Sequence, residues 1–350
     1  MRWQFHYPKR TSFYPPDCEN PGLGGCEASL VLLTRALAAR GHAVEVFNCC
    51  YRPGTYDGVT WRMTWELDSA PAPDVAVAVR FDEALWPTAS QAEQHLFWML
   101  DDRSRGPAAF AESFQDRGGL VILASQAMQN RLDAAGVDIP TQLTPLPVET
   151  DRYTQPVEDR APHLPLRQHA QPRPRCRPRP LAPHQGRRPQ RRALDHQRLA
   201  TLGLHQLRIR RPVAPTPWRP STPGRRPSPR HASPSRTHPN PAAGRPTLYP
   251  CRFPEMFCLS AAESAAAGTP VITSPIDALA ERVQHNQTGI LIDGDIDHAD
   301  TQRAFADASI ALLINPGRRN TMGTAGRTGS AHLLPERVAS AWEALVSGTV

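Results

Sequence analysis

Two glutamates in the last third of the chain have the spacing of a ligand site. Glu255 and Glu263 are separated by seven residues, and a small-residue helix is predicted to begin between them at Leu259. This spacing places one carboxylate in the loop before the helix and the other one turn inside it, so that both face one cleft. The N–H groups at the helix start lie between them and can bind phosphate. The alternative is a pair of surface glutamates that flank the start of a helix.

A glycine pair near the N-terminus forms a second candidate site. Gly24 and Gly25 lie between a predicted strand and a predicted helix, and the absence of a Cβ lets a ligand approach their backbone. The helix N-terminus that follows favours an anion, usually a phosphate. The loop is not a dinucleotide fingerprint, because Glu27 stands where the third glycine is needed. The alternative is a simple turn between strand and helix.

Two acids follow a predicted strand and form a third candidate. Asp101 and Asp102 come just after Leu96–Met99. Ligands of open α/β sheets bind beyond the carboxyl ends of the strands, so these acids could serve an acceptor hydroxyl. The alternative is the solvated start of a loop.

Short apolar runs alternate with helical stretches on both sides of the chain's middle. This alternation predicts an α/β fold with doubly wound parallel sheets. In the N-terminal part we predict strands at Trp3–Tyr7, Ala43–Phe47, Asp74–Val79, Leu96–Met99, Gly119–Ala124 and Gln142–Leu146, and helices at Glu27–Arg40 and between Ser125 and Gly136. In the C-terminal part we predict a strand end at Leu248–Pro250, strands at Pro270–Ser274 and Thr288–Asp293, and helices at Leu259–Ala267, Ala278–Gln284, His298–Ile314 and Pro335–Val346.

The middle of the chain has a different composition. Residues 160–246 contain 20 of the 40 basic residues and 19 of the 38 prolines, but a single acid, Asp195, and a single aromatic residue, Trp218. Three interpretations compete: a basic arm that binds nucleic acid, a disordered linker, or a segment translated outside its native reading frame. The near absence of aromatic side chains that would stack on bases argues against the first. The abrupt edges of the segment favour the third, and the coding DNA would test it.

Cysteine content and hydropathy give expectations about the compartment. The seven cysteines contain no C-x-x-C pair and fit a reducing cytoplasm better than a disulfide scaffold. We expect neither a signal peptide nor a transmembrane helix, because no apolar run has the necessary length. No cluster with metal-ligand spacing is found in the sequence.

The segment Phe253–Glu263, followed by Gly268-Thr269-Pro270-Val271-Ile272, resembles the E-x7-E signature of the group 1 (family 4) retaining glycosyltransferases. This resemblance implies a GT-B fold, in which two Rossmann-like domains face each other. It implies that Glu255 binds hydroxyls of a donor sugar and that Glu263 binds the ribose. It also implies that the N–H groups of Phe257, Cys258 and Leu259 meet the sugar and the diphosphate. Glu281 stands at a usual acidic position of the family.

The N-terminal part carries an independent resemblance to the same family. Gly24-Gly25-Cys26-Glu27 and Arg40-Gly41-His42-Ala43-Val44 are similar to its G-G-x-E opening and R-G-H-x-V strand entry. We therefore predict an acceptor-side Rossmann-like domain at residues 1–155 and the C-terminal part of a nucleotide-sugar donor domain at 247–350. Residues 156–246 form the Arg/Pro-rich segment between them. The first half of the second domain, with its basic pair for the diphosphate, should fall there, and we expect this half to be disordered or mistranslated.

The resemblance implies transfer of a sugar from a nucleotide-diphosphate donor to a hydroxyl acceptor, with retention and without a metal or other cofactor. Its catalytic residues would be Glu255 and Asp101, with Gly24 and Gly25 among the donor-binding residues. It implies a glycan or lipid-linked acceptor, no specific nucleic acid, and a cytoplasmic location that leaves open an association with the inner face of the membrane. The alternatives are an inactive remnant of such an enzyme and a basic nucleic-acid-binding protein.

Overall fold

The N-terminal part of the protein is built on one sheet whose strands succeed each other as predicted. The computed structural model describes residues 1–8, 12–18, 23–81, 92–102, 114, 119–149 and 245–348. The sheet contains β1 (Arg2–His6), β2 (Ala43–Asn48), β3 (Gly54–Tyr56), β4 (Val59–Met63), β5 (Val75–Val79), β6 (Gln94–Met99), β7 (Leu120–Leu123) and β8 (Thr141–Leu143). Their order is β3-β4-β2-β1-β5-β6-β7-β8, and only β3 and β4 pair antiparallel.

The sheet has a topological switch point beside β1. This strand pairs in parallel with β2 on one side and with β5 on the other. The chain runs from β1 to β2 on one side and returns after β4 to β5 on the other, and this reversal opens a crevice at the carboxyl ends of these strands. Tyr7, Arg80 and Leu100, the residues that directly follow β1, β5 and β6, lie at this edge.

Apolar sequence explains the central elements. All five residues of β5, Val-Ala-Val-Ala-Val, are buried, as expected for an inner parallel strand covered on both faces. Helix α1 (Gly25–Ala39) buries Leu30, Leu33 and Leu37 at helical spacing. Gly41 follows with φ +88°, the left-handed conformation that commonly ends a helix.

The C-terminal part forms a smaller parallel sheet. Its order is β11 (Gly289–Leu291), β10 (Val271–Thr273) and β9 (Thr247–Tyr249). The helices that follow α1 along the chain are α2 (Gln126–Ala134), α3 (Leu259–Ala266), α4 (Ala278–Arg282), α5 (Ala299–Ile314), α6 (Pro316–Gly329) and α7 (Pro335–Val346). All described residues fall within one compact unit of the chain.

The last helix returns to the first sheet. Trp342 in α7 is fully buried, and its ring centroid lies 5.2 Å from that of Trp98 and 6.4 Å from that of Trp3. Burial of an aromatic side chain is among the largest single contributions to a core. Helix α7 therefore joins the N-terminal core although it belongs to the end of the chain.

Most predicted elements are present with ends shifted by one or two residues, and α7 has the predicted bounds. The strand predicted at Gln142–Leu146 is corrected to Thr141–Leu143, because Pro145 and Pro147 have no N–H for a ladder. The helix predicted to Gln284 ends at Arg282, since Val283 is extended. The β3–β4 hairpin and α6 were missed. The predicted Arg/Pro-rich segment, apart from its last two residues, lies outside the described residues.

Candidate functional site

A cleft of about 360 Å³ brings the candidate residues together. One wall is formed by the ends of strands in the N-terminal part, and the other by the chain around the start of α3. The cleft is lined by predicted site residues from both walls: Gly25, Asp101, Glu255, Phe257, Cys258 and Leu259. Two predicted residues, Gly24 and Glu263, are not among its lining residues.

The Glu255 loop (Cys251–Phe257) connects β9 to α3 and is fixed at both ends. The Thr273 hydroxyl donates a hydrogen bond of 2.7 Å to the carbonyl of Tyr249, the last residue of β9. The backbone N–H of Ala278 donates to the carbonyl of Glu255 over 3.0 Å. The phenol of Tyr249 donates to the Glu255 carboxylate. Backbone and side chain of Glu255 are thus both oriented before any ligand arrives.

Helix α3 starts at the cleft with an unusual residue. Cys258 precedes the helix in the left-handed conformation, with φ +59°, and its carbonyl accepts from the N–H groups of Ala261 and Ala262. This geometry turns the chain so that Phe257, Cys258 and Leu259 line the cleft. A helix start of this kind attracts anions through its N–H groups and its dipole.

A partly buried cation, Arg282, lies close to this helix start. The guanidinium of Arg282 is 4.6 Å from the centroid of the Phe257 ring and 3.5 Å from the Glu281 carboxylate. Burial lowers the pKa of Arg282, while the neighbouring Glu281 opposes that shift. The guanidinium thus lies close to Phe257, one of the residues that would meet a phosphate, and Glu281 offsets part of its charge.

Glu263 lies inside α3 and is partly buried. The residues of this helix that line the cleft are its first two, Leu259 and Ser260. Its predicted role with a ribose stays a prediction.

Close contacts within the protein account for glycine at both positions, 24 and 25. A Cβ at Gly25 would lie 2.6 Å from Cδ1 of Leu259, across the cleft, and a Cβ at Gly24 would overlap the carboxylate of Glu27. Their glycine identity therefore lets α1 approach α3 and lets Glu27 fold back over its own helix start. A ligand role for Gly24 and Gly25 stays a prediction.

Asp101 is held by an arginine that the sequence analysis missed. Arg80 follows β5 with φ +68°, a conformation that costs energy for a residue with a side chain. Its Nε and Nη2 bind the two oxygens of Asp101 at 2.5 and 3.0 Å. Although burial acts to lower it, this bidentate bond raises the pKa of Arg80 above its ordinary value.

The same arginine reaches a buried carboxylate. Nη1 of Arg80 lies 3.9 Å from Oε1 of Glu27, and the phenol of Tyr7 donates to that oxygen over 2.7 Å. Burial, and then the charge of Glu27, raise the pKa of Tyr7, so the phenol stays a donor. We call Tyr7, Glu27, Arg80 and Asp101 the Arg80 cluster. One signal was available in the sequence: Arg80 follows β5 as Asp101 follows β6, at the edge where ligands bind.

Asp102 is linked to the C-terminal part through an arginine of the N-terminal part. Nη2 of Arg131 in α2 lies 3.6 Å from the carboxylate of Asp102 and 3.9 Å from that of Asp277. Asp102 thus takes part in joining the two walls of the cleft.

The structure as described shows neither a metal-binding cluster nor a membrane-spanning helix. Within the described ranges, no group of three or more His, Cys, Asp or Glu side chains is arranged to hold a metal ion. None of the helices that the structure describes is both long and apolar enough to cross a membrane.

The C-terminal part of the chain matches a known protein family. Residues 246–329 match the family of glycosyl transferases group 1. Over 73 residues the chain is 41% identical to D-inositol 3-phosphate glycosyltransferase of Pseudarthrobacter chlorophenolicus, covering 21% of this chain and 16% of that protein. Over 66 residues it is 44% identical to GDP-mannose-dependent alpha-(1-6)-phosphatidylinositol monomannoside mannosyltransferase of Mycobacterium tuberculosis, covering 19% and 16%. The chain thus matches about a sixth of the length of these curated relatives.

Solved structures show a likeness in fold. The protein is similar to Anabaena HepE in complex with UDP-glucose, with a TM-score of 0.60, 14% identity, and coverage of 99% of this chain and 100% of the other. It is also similar to sucrose-phosphate synthase from Thermosynechococcus elongatus, with a TM-score of 0.57, 15% identity, and coverage of 99% and 98%.

The protein has the GT-B fold of glycosyltransferases. Within that class, the predicted resemblance to the group 1 glycosyltransferases is confirmed, and its sequence match lies in the segment that carries the Glu255 loop and α3.

Proposed function

We propose that this protein transfers a sugar from a nucleotide-diphosphate donor to a hydroxyl acceptor, with retention of the anomeric configuration. One observation carries the proposal. A single cleft combines a preoriented carboxylate, Glu255, and the start of α3 on one wall with Asp101 on the other. Anion-binding and hydroxyl-binding groups thus face each other, as the transfer of a sugar from a diphosphate requires.

Each residue then has a defined task. The N–H groups of Phe257, Cys258 and Leu259 bind the diphosphate, and the charge that develops on it during bond cleavage is stabilised there. Glu255 accepts hydrogen bonds from sugar hydroxyls. Asp101, oriented by Arg80, accepts a hydrogen bond from the acceptor hydroxyl and positions its oxygen. Glu263 binds the ribose.

The relatives support the donor class. HepE is known in complex with UDP-glucose, and the mycobacterial relative is a GDP-mannose-dependent mannosyltransferase. We infer a UDP- or GDP-linked sugar as the donor and a glycan or lipid-linked hydroxyl compound as the acceptor. A place at the inner face of the membrane belongs to the same proposal, and sedimentation with vesicles tests it separately.

Calorimetric titration of the purified full chain with UDP-glucose and with GDP-mannose tests the proposed function. We expect saturable binding of at least one of them, and about tenfold or greater weakening in Glu255→Gln, because a hydrogen bond to a charged group is lost. Glu336→Gln, an exposed residue of α7 outside the cleft, is the matched control. A folded chain that binds neither donor at millimolar concentration would instead support an inactive remnant.

Retention needs its own measurement. With an acceptor that the chain uses, proton NMR of the first product should show the same anomeric configuration as the donor. A product of opposite configuration would contradict this part of the proposal.

A further inference from the structure

The Glu255 carboxylate has a single side-chain partner. Within the part of the chain that the structure describes, only the phenol of Tyr249 forms a hydrogen bond with it, and no cation pairs with it. Both residues line the cleft. The orientation of this carboxylate therefore depends on one O–H donor.

Tyr249 is itself held firmly. It is the last residue of β9, which pairs with β10 in parallel, and its carbonyl accepts from the Thr273 hydroxyl at 2.7 Å. Its ring packs against a buried cluster that contains Cys251, Cys258 and Leu279. Burial, and then the neighbouring Cys258 and Glu255, raise the pKa of the Tyr249 phenol. The phenol thus remains a proton donor at physiological pH.

We infer that Tyr249 is a positioning residue that determines how Glu255 recognises the donor sugar. The phenol occupies Oε1 of the carboxylate, which leaves Oε2 to accept from a ligand in the cleft. Glu255 can then accept a sugar hydroxyl at one defined position, which favours donors with a hydroxyl there. This inference rests on the proposed function and adds a residue that discriminates between sugars rather than one that binds the nucleotide.

The test separates binding of the sugar from binding of the nucleotide. Dissociation constants are measured for UDP-glucose and UDP, and for GDP-mannose and GDP, with wild type and Tyr249→Phe. Phenylalanine keeps the ring and its packing and removes only the hydroxyl. We expect the sugar nucleotide that the wild type binds to weaken by about 10- to 100-fold, since a charge-assisted hydrogen bond is lost. We expect the corresponding nucleoside diphosphate to bind unchanged.

A matched control and a double variant make the outcome specific. Tyr51 donates to Asp17 over 2.8 Å, a second phenol–carboxylate bond that is exposed and outside the cleft, so Tyr51→Phe should change none of the constants. In a Glu255→Gln background, Tyr249→Phe should add little further loss, because the two residues act as one unit.

The results distinguish a failure of the proposed function from a failure of the role inferred for Tyr249. Wild type that binds neither nucleotides nor their sugars overturns the proposed function and this inference with it. Wild type that binds a sugar nucleotide while Tyr249→Phe weakens sugar nucleotide and nucleoside diphosphate equally, or weakens neither, overturns the role of Tyr249 alone. If Tyr249→Phe weakens sugar-nucleotide binding as strongly in the Glu255→Gln background as in wild type, the role of Tyr249 is also overturned. Tyr249 would then not act through Glu255.

Discussion

Arg80 shows how single residues shape the N-terminal wall of the cleft. Its left-handed backbone aims one guanidinium at two carboxylates, Asp101 at the cleft and the buried Glu27. A planar, bidentate donor suits this task, whereas an ammonium group makes only point contacts. The strain at Arg80 is therefore compensated by the charges that it holds in place.

Replacement of Arg80 by lysine tests this role. We expect Arg80→Lys to lower the free energy of unfolding by about 1–3 kcal/mol, because lysine keeps the charge but cannot hold Asp101 and Glu27 in the same geometry. Denaturation by urea provides the measurement. Arg35→Lys is the control, since Arg35 pairs with Asp57 at 2.8 Å on an exposed surface, where such pairs contribute little. Equal, small effects of both variants would contradict the proposed role.

At the scale of elements, the packing of α6 depends on small residues. The buried residues of this helix are Met322, Gly323 and Gly326, and a Cβ at Gly323 would overlap the carbonyl oxygen of Gly268, just after α3. The absence of a side chain therefore brings α6 close to the end of the helix that starts at the cleft. This explains why the helix was missed from sequence: it lacks the apolar periodicity on which helix prediction relies.

Gly323→Ala should therefore destabilise the protein although alanine is the better helix former. We expect a loss of about 2–3 kcal/mol in the free energy of unfolding, as for overpacking against atoms that cannot move away. Gly329→Ala in the same helix is the control, because no atom lies within 4 Å of the new Cβ and its backbone is helical. Thermal unfolding of both variants and of wild type measures the difference in stability. A Gly323→Ala protein as stable as wild type would show that α6 packs differently.

At the scale of the whole molecule, charged contacts join the two ends of the chain. The Glu281 carboxylate in α4 accepts from the N–H groups of Gln126 and Ala127 at the start of α2, over 3.1 and 2.6 Å. The hydroxyl of Ser125 donates to the carbonyl of Met256 in the Glu255 loop over 2.5 Å. A carboxylate at a helix N-terminus is favoured by the helix dipole. These contacts hold the cleft in the arrangement described.

A second charged contact joins α7 to the end of α1. Glu343 accepts from Arg40 at 2.5 and 2.7 Å and contacts His42 at 2.7 Å. The hydrogen bond from Arg40, and then that from His42, hold the pKa of Glu343 below its ordinary value of 4.5. A carboxylate with a lowered pKa in the folded state contributes stability above its unfolded pKa and loses it as the pH falls through the folded value.

Glu343→Gln should therefore have a pH-dependent effect. We expect it to lower stability by about 0.5–1 kcal/mol at neutral pH, the range of a solvent-accessible pair. The difference from wild type should begin to shrink near pH 4.5 and disappear as the pH falls through the lower pKa of Glu343 in the folded state. Denaturant titrations between neutral and acidic pH measure it, with Glu336→Gln on the same helix as the control. A difference that stays constant with pH would contradict the ionic origin of the contact.

The sequence predicted the wall of the cleft that contains Glu255 and the start of α3 more fully than the other wall. Glu255 and the start of α3 are local features, in which a loop and a helix start are consecutive in the chain, so their arrangement follows from spacing. Arg80, Tyr7 and Tyr249 acquire their roles from strand register and side-chain direction, which bring residues such as Arg80 and Asp101 together from separate strands. Periodicity predicts that strands exist, but it does not predict which side chains meet at their ends.

A crystal structure of the full chain with UDP-glucose or GDP-mannose tests the central claim most directly. We predict the diphosphate within hydrogen-bonding distance of the N–H groups of Phe257, Cys258 and Leu259, and a sugar hydroxyl on Glu255. A donor bound elsewhere on the molecule, or a cleft that stays empty at saturating donor, would contradict the account.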